Sequence, residues 1–208
     1  MAATGDLTSA GCVEDNDDGP DSCTASTAAD GLEQTRDVVV SPDGADVYAV
    51  SPDGRSLYVA ANSDDSIKRF DRNTSTGALT AQACVDDAGA GACAQSMAGL
   101  DAPARVLVSP DNLSVYASAN GSDSVAALSR NPTTGALTPA GCTGDNDTGP
   151  PSCAIKADGL DAVWGLAISP DGSSLYTGSR LDNGSPTCAE SSLPYPASHW
   201  WPSPSAGP

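Results

Sequence analysis

Short apolar runs alternate with turns rich in Gly, Pro, Asp and Asn along most of this chain. The stretch 105–130 is the clearest example. Its continuous apolar run, R-V-L-V at 105–108, is typical of an inner strand covered on both faces. A Pro/Asp/Asn turn follows at 109–112, and β-branched and aromatic residues then predict a returning strand. In full, the pattern predicts an antiparallel meander of four strands, at 105–108, 114–118, 124–129 and 136–138.

This meander is one copy of a repeated segment. Each copy begins G-x-L-T, at Gly5, Gly77 and Gly135, and continues through a cysteine-bracketed loop to a short apolar run and S-P-D. A regular repeat of this length predicts stacked supersecondary units. Four-stranded units repeated radially form a β-propeller. The sequence therefore predicts an all-β propeller region over 1–180, with units at about 5–76, 77–134 and 135–180. Because propellers usually have four to eight blades, three units predict an incomplete or open one.

The boundary of the first unit is ambiguous. Two S-P-D-G turns, at 41–44 and 51–54, lie only ten residues apart. The residues between them, 47–50, fit either the second strand of one unit or the first strand of the next. Both assignments stay open on the sequence alone.

The apolar positions of the strands predict the cores of the blades. These are Val38, Val40, Leu57, Val59, Ile67, Phe70, Val106, Val108, Val115, Tyr116, Val125, Leu128, Leu166, Ile168, Leu175 and Tyr176. Such a core is thin for the length of the chain. We therefore expect stability to depend partly on covalent links.

Six of the seven cysteines provide candidates for those links. They form the pairs Cys12 and Cys23, Cys84 and Cys93, and Cys142 and Cys153, one in each repeat. The spacing within each pair is too wide for a C-x-x-C metal or redox motif. A local disulfide in each repeat is the simplest prediction, with reduced thiols as the alternative. Because disulfides persist in oxidising compartments, they predict an extracellular or cell-surface location.

The ends of the chain differ from the repeats. No secretory leader begins at Met1, and the chain opens in mid-repeat, which predicts that Met1 is not the natural start of the parent protein. Residues 181–208 are rich in Pro, Ser and Trp and predict a disordered tail, which also holds the single histidine, His199. Cys188 has no evident partner and is expected to be a free thiol or to form an intermolecular bond.

Charge limits the partners. The chain has 27 acidic and nine basic residues, for a net charge of -18, which would repel a phosphate backbone. Nucleic acid is therefore not an expected partner. No apolar run is long enough to predict a membrane span. The open edges of an incomplete propeller predict a tendency to self-associate.

The acidic loops suggest one metal. Glu14, Asn16 and Asp18 supply oxygen ligands in a pattern that loosely matches the opening of a calcium loop, without the Glu that should close it. A second acidic loop lies at 142–149, and a poorer copy lies at 86–89. The alternative interpretation is ordinary solvated turns.

The turns and strands carry a family resemblance. The sequence V-S-P-D-G at 40–44 with V-Y at 47–48, and I-S-P-D-G at 168–172 with L-Y at 175–176, resembles lactonase-like and YVTN-type β-propellers. The stretch 67–80 is similar to the third and fourth strands of the lactonase family. The resemblance implies a propeller fold and raises hydrolysis of a lactone as an activity.

The residues themselves favour a different function. Lactone hydrolysis needs a group that activates water and positive charge at the developing oxyanion. The repeats contain no histidine and no G-x-S-x-G motif. The arginines Arg36, Arg69, Arg72, Arg105 and Arg130 lie mostly at strand ends, where surface ion pairs are expected. We therefore predict a secreted or surface scaffold that binds a protein or glycan, with a fragment of a lactonase-type hydrolase for sugar lactones as the alternative. Catalysis by this chain alone is not expected, and no cofactor is implied apart from the candidate calcium.

Overall fold

A computed structural model describes residues 53–88, 90 and 93–180, together with the backbone of 188–192. All the regular secondary structure in that part of the chain is β-strand. The strands are β1 (Ser56–Ala61), β2 (Ser66–Arg72), β3 (Leu79–Asp87), β4 (Gln95–Met97), β5 (Pro103–Val108), β6 (Ser114–Ala119), β7 (Ser124–Arg130), β8 (Leu137–Asp145), β9 (Ile155–Ala157), β10 (Val163–Ile168), β11 (Ser174–Ser179) and β12 (Cys188–Ser192). No helix in the described residues has the length and hydropathy needed to cross a bilayer.

The strands form three consecutive sheets, which are blades of an incomplete propeller. The first contains β1 to β4, the second β5 to β9 and the third β10 to β12, each in chain order. Neighbouring strands are antiparallel except for β3 with β4 and β8 with β9, which are parallel. The second sheet contains the complete meander predicted at 105–138. The fold class expected from the sequence is therefore confirmed.

The fourth strand of the meander differs from the prediction. It was expected at 136–138, but β8 runs from Leu137 to Asp145, and the additional strand β9 pairs with its end. Pro139, Gly141 and Gly144 give little strand signal, and the ladder with β7 holds this segment extended. Part of the presumed loop at 142–149 is therefore strand.

Disulfides close the loop at the outer edge of two blades. Cys84 is bonded to Cys93, and Cys142 to Cys153. Each bond holds the second cysteine beside the strand that carries the first one. The short strand that follows, β4 or β9, then pairs with that strand in parallel. The predicted pair Cys12 and Cys23 lies outside the described residues.

Two apolar clusters hold the blades together. The larger lies between the first and second sheets and includes Ile67, Phe70, Val115 and Leu128. The smaller lies between the second and third sheets. The predicted core residues that are buried are Leu57, Ile67, Phe70, Val106, Val115, Tyr116, Val125, Leu128 and Leu175. Val59, Val108, Leu166 and Ile168 are half-buried at the margins of these clusters, whereas Val38 and Val40 lie outside the described residues.

Tyr176 was expected in the core but is exposed. It is 41% exposed, although the tyrosines at the same position of the two preceding blades, Tyr58 and Tyr116, are 0% and 3% exposed. Tyr116 is covered by the third sheet, where Val163 and Leu175 pack with it in one cluster. Among the described residues, no further sheet covers Tyr176 in the same way. Burial of this position therefore depends on the neighbouring blade and not on the strand pattern.

Candidate functional site

Arg130 is the main polar link between the first two blades. It lies at the end of β7, and its side chain is only 1% exposed. Its Nε donates to the hydroxyl of Tyr58 at 2.7 Å, and its Nη2 lies 3.1 Å from Oδ2 of Asp53. Its Nη1 donates to the carbonyl oxygen of Asn112 at 3.1 Å. The expectation of a surface ion pair is therefore wrong for Arg130, because the adjacent blade covers it.

Tyr58 extends this link. It projects from β1, and its hydroxyl donates to the carbonyl oxygen of Gly135 at 2.6 Å while accepting from Arg130. Burial raises the pKa of Tyr58, against the opposing effect of the Arg130 charge. The phenol therefore stays protonated at neutral pH. It acts here as a hydrogen-bond donor and not as a base.

Beside this link, a groove opens between β1, β2 and the turn at 131–136 of the next blade. It has a volume of about 560 Å³ and is lined by Arg55, Arg69 and Arg72, with Asp71 as the single acidic residue among the described residues of its lining. We call it the arginine groove. Hairpin pairing brings the ends of β1 and β2 together, since the amide of Arg72 donates to the carbonyl oxygen of Arg55 at 2.8 Å.

Two of the groove arginines are anchored. Arg69 is buried, donates to the carbonyl oxygen of Thr134 and lies 3.1 Å from Oδ1 of Asp71. Arg72 donates to the carbonyl oxygen of Gly54 at 3.2 Å. The surface role expected for Arg69 is therefore also wrong. These contacts hold two guanidinium groups in place along the groove wall.

The sequence did not indicate the arginine groove. Nothing in the sequence around Arg55 marks it as functional, and no motif links Arg69 with Arg72. The available signal was the hairpin register, because a two-strand pairing around residues 62–65 brings residue 55 close to residue 72. The contribution of Thr133 and Thr134 from the next blade had no sequence signal.

The aspartates at the opposite ends of the strands stabilise backbone turns. Asp87 Oδ1 accepts the amide of Leu100 at 2.8 Å, and the equivalent Asp145 accepts the amide of Leu160 at 3.0 Å. Burial works to raise the pKa of Asp145, but hydrogen bonds from the backbone of residues 147, 160 and 148 outweigh it and lower the pKa. These carboxylates are therefore occupied as acceptors of backbone amides.

The candidate calcium ligands Glu14, Asn16 and Asp18 lie outside the described residues, so this site stays a prediction. Within the described residues, no group of three or more His, Cys, Asp or Glu side chains is placed to hold a metal ion. The second acidic loop, at 142–149, starts as the end of β8, and its Asp145 binds backbone amides.

The described site has the chemistry of a binding surface. The arginine groove supplies positive charge and hydroxyl groups, whereas the part of the chain that the structure describes contains no histidine. Charged guanidinium groups with fixed positions bind oxyanions through paired hydrogen bonds. The groove can therefore hold an anionic group or stabilise developing negative charge.

Residues 48–162 match the sequence profile of the family described as lactonase, 7-bladed β-propeller. The match covers more than half of the chain and includes the first two described blades. The chain belongs to this family. No curated protein matches it.

Several solved structures are similar to the chain. A candidate 6-phosphogluconolactonase from Bacteroides uniformis is 19% identical, with a TM-score of 0.47 over 79% of this chain and 46% of that chain. A periplasmic gluconolactonase from Pseudomonas aeruginosa is 18% identical, with a TM-score of 0.46 over 76% of this chain and 54% of that one. Hydrazine synthase from Kuenenia stuttgartiensis is 18% identical, with a TM-score of 0.48 over 77% and 46%. The chain thus spans about half the length of these proteins.

Proposed function

We propose that this chain is part of a lactonase-type propeller protein that works outside the cytoplasm and hydrolyses a sugar lactone or a related ring. The observation that carries the proposal is the family match over residues 48–162. The chain spans about half the length of the similar solved structures, so the proposed activity is that of the parent protein.

The chemistry requires two elements. Attack of water on a lactone carbonyl needs a base or metal to activate the water and positive groups to stabilise the oxyanion. The arginine groove offers the second element. We expect the first from residues outside the described part of the chain.

The proposed location outside the cytoplasm rests on the two disulfide bonds. Cys84–Cys93 and Cys142–Cys153 are bonded, and such bonds persist mainly in oxidising compartments. Mass spectrometry of protein isolated from its native source under alkylating, non-reducing conditions tests this. Recovery of both linked peptides supports an extracytoplasmic site, whereas alkylated free cysteines at these four positions contradict it.

Lactone hydrolysis is tested by acid release from D-glucono-1,5-lactone in a pH-stat, with the parent protein and with this chain. Heat-inactivated protein corrects for spontaneous ring opening. Turnover by the parent supports the proposal. Absence of turnover with a panel of sugar lactones contradicts it.

A binding module is the second candidate function. It is favoured by the absence of histidine from the described residues and by the engagement of Asp87 and Asp145 with backbone amides. In this function the blades present a surface for a protein or a glycan. Saturable binding to a glycan array by a parent without lactone turnover would select this candidate.

A further inference from the structure

The third sheet ends one strand earlier than its neighbour. Tyr176 of β11 lies opposite Glu190 of β12, as Tyr116 of β6 lies opposite Ala127 of β7, so β12 takes the place of β7 in the same register. In the second sheet, β8 pairs along the other side of β7. In the part of the chain that the structure describes, no strand lies on that side of β12. We call this side the β12 edge, and its backbone groups are of the kind that accept a further strand.

A strand that fits this edge is encoded near the start of the chain. Residues 7–15, L-T-S-A-G-C-V-E-D, match the nine residues of β8, L-T-P-A-G-C-T-G-D, at six positions. They share the Leu, Thr, Cys, Val and final Asp of β3, L-T-A-Q-A-C-V-D-D. Because β3 and β8 already complete the first and second sheets, residues 7–15 are the remaining copy of this strand in the sequence.

The second sheet offers an apolar contact for such a strand. Leu137, which begins β8, is buried in the cluster between the first two sheets, and its carbonyl oxygen accepts from Gln95 Nε2 of β4 at 3.2 Å. Ile155 of β9 has the position that Gln95 has on β4, because each lies opposite the residue that follows the first cysteine of its blade. Ile155 is 38% exposed. The counterpart of Leu137 in the remaining strand is Leu7, which we expect to cover Ile155.

The order of the sheets favours a strand from another molecule. The second sheet lies between the other two, with one apolar cluster on each side of it. Residues 7–15 precede the first sheet in the chain, whereas the β12 edge belongs to the third. A second copy can approach the β12 edge without crossing the second sheet. Each copy holds one such strand and one such edge, so two copies can exchange identical elements.

We propose that the β12 edge binds residues 7–15 of a second copy of this chain as an added antiparallel strand. Transferred from β7 and β8, the register sets Ser192 opposite Thr8 and Ser191 opposite Ser9. The proposal goes beyond lactone hydrolysis and does not rest on it, because it concerns how copies of the chain associate.

The ladder between β7 and β8 shows where the added strand tolerates proline. The amide of Asn131 donates to the carbonyl oxygen of Ala136 at 2.9 Å, and hydrogen-bonded pairs recur at every second position of an antiparallel ladder. Thr138 therefore belongs to a hydrogen-bonded pair, whereas Pro139, one residue further on, does not. By equivalence, proline is compatible with residue 9 of the added strand and removes a ladder hydrogen bond at residue 8.

Sedimentation velocity of the full chain with the variants Thr8→Pro and Ser9→Pro tests the proposal. We expect the unmodified chain to associate as its concentration rises. Thr8→Pro should raise the dissociation constant by roughly tenfold or more, and Ser9→Pro should change it by less than about threefold. Equal effects of the two variants, or an unmodified chain that stays monomeric at all concentrations, would overturn the proposal.

A free peptide tests the same edge without altering the protein. It contains residues 4–16, with Ser in place of Cys12, and carries a fluorescent label at its N-terminus. At a protein concentration where the chain is monomeric, its anisotropy should show saturable binding, and an excess of peptide should dissociate the associated chain. The same peptide with Thr8→Pro should bind roughly tenfold more weakly. Equal binding of the two peptides, or binding of neither, contradicts the assigned edge.

A disulfide between copies tests the register. The double variant Ser9→Cys/Ser191→Cys places two cysteines opposite each other in a pair without ladder hydrogen bonds, where Cβ atoms come within reach of a disulfide. Ser9→Cys/Glu190→Cys is the control, because a shift of one residue puts the side chains on opposite faces. An oxidised mixture of unlabelled and isotope-labelled copies should yield linked peptides of mixed label for the first variant and few for the control.

Links confined to single copies would show that each chain fills its own edge, and they would overturn binding between copies. Links of equal yield in the control would overturn the register and with it the assigned edge. Lactone turnover is not used as a readout, so failure here is distinguishable from failure of the proposed hydrolysis.

Discussion

Arg130 shows how much one side chain contributes to the contact between blades. Its guanidinium group contacts Asp53 and Tyr58 of the first blade and the carbonyl oxygen of Asn112 in its own blade. Because the side chain is 1% exposed, loss of its charge removes a buried donor from the Tyr58 hydroxyl and the Asn112 carbonyl oxygen. It also removes the cation that pairs with Asp53, which keeps its hydrogen bonds from Asn112 Nδ2 and the Arg55 amide.

We expect Arg130→Gln to lower the free energy of unfolding by about 2–4 kcal/mol, since a partner of a buried ion pair is removed. Urea denaturation followed by tryptophan fluorescence measures the change. Arg105→Gln, at an exposed position, should change stability by less than about 0.5 kcal/mol. Similar losses in the two variants would show that the link contributes little.

Asp145 makes a pH-dependent contribution to the free energy of unfolding. Backbone hydrogen bonds hold its pKa below the ordinary value of 3.8 despite its burial, so the folded state favours the ionised form. The stabilisation is therefore fully present above the unfolded pKa and is lost as the pH falls through the lower, folded pKa.

We expect Asp145→Asn to cost about 2 kcal/mol at pH 7, because hydrogen bonds to a charged acceptor are weakened. The difference from the unmodified protein should shrink as the pH falls below about 4. Urea titrations across this range measure it, with the exposed neighbour Asp147→Asn as the control. A difference that grows towards low pH would reverse the assigned sign.

At the scale of elements, each outer strand depends on a covalent loop. The Cys142–Cys153 bond joins the end of β8 to the segment that leads into β9. The Lys156 Nζ supports the same loop by donating to the carbonyl oxygens of Gly149 and Pro150, both at 2.8 Å. A closed loop of this size restricts the unfolded chain and so stabilises the folded state.

The double variant Cys142→Ser/Cys153→Ser should lose about 2–3 kcal/mol, as estimated from the closure of a short loop. Thermal unfolding with and without a phosphine reductant measures this loss. The reductant should destabilise the unmodified protein more than the double variant, because it breaks Cys84–Cys93 in both and Cys142–Cys153 in the unmodified protein alone. A reductant with no effect on the unmodified protein would contradict the stabilising role of both bonds.

At the scale of the whole molecule, successive blades cover one another. Tyr58 and Tyr116 are buried by the following blade, whereas Tyr176 is 41% exposed on the third sheet. Ala167, which pairs with Tyr176 in the β10–β11 ladder, is exposed on the same face of this sheet. An exposed apolar sheet face of this kind favours association.

We expect the chain to self-associate through the third sheet as its concentration rises, and more strongly at high salt, which screens the repulsion between acidic surfaces. Sedimentation velocity measures this. Tyr176→Lys should shift the equilibrium towards monomer, whereas Leu113→Lys, at another exposed apolar residue, should not. Identical sedimentation of the two variants and the unmodified chain would place any association elsewhere.

The repeat pattern was sufficient to predict the strands and turns of the second blade and the positions of two bonded cysteine pairs. These features depend on short apolar runs, on the turn residues between them and on cysteines a few positions apart. The sequence does not predict the length of β8, because its Pro- and Gly-containing segment gives a weak strand signal. The boundaries of the repeat units remain predictions.

The sequence by itself determined that the chain would form antiparallel blades, because short apolar runs and Pro/Asp turns define strands and hairpins locally. Only the tertiary structure decided which arginines are buried and which line a groove. Tyr58 and Gly135, or Asp53 and Arg130, lie 77 residues apart and meet only when one sheet packs on the next. A charged residue at the end of a strand has the same sequence context whether water or a second blade lies beside it. Packing between sheets therefore determines its role.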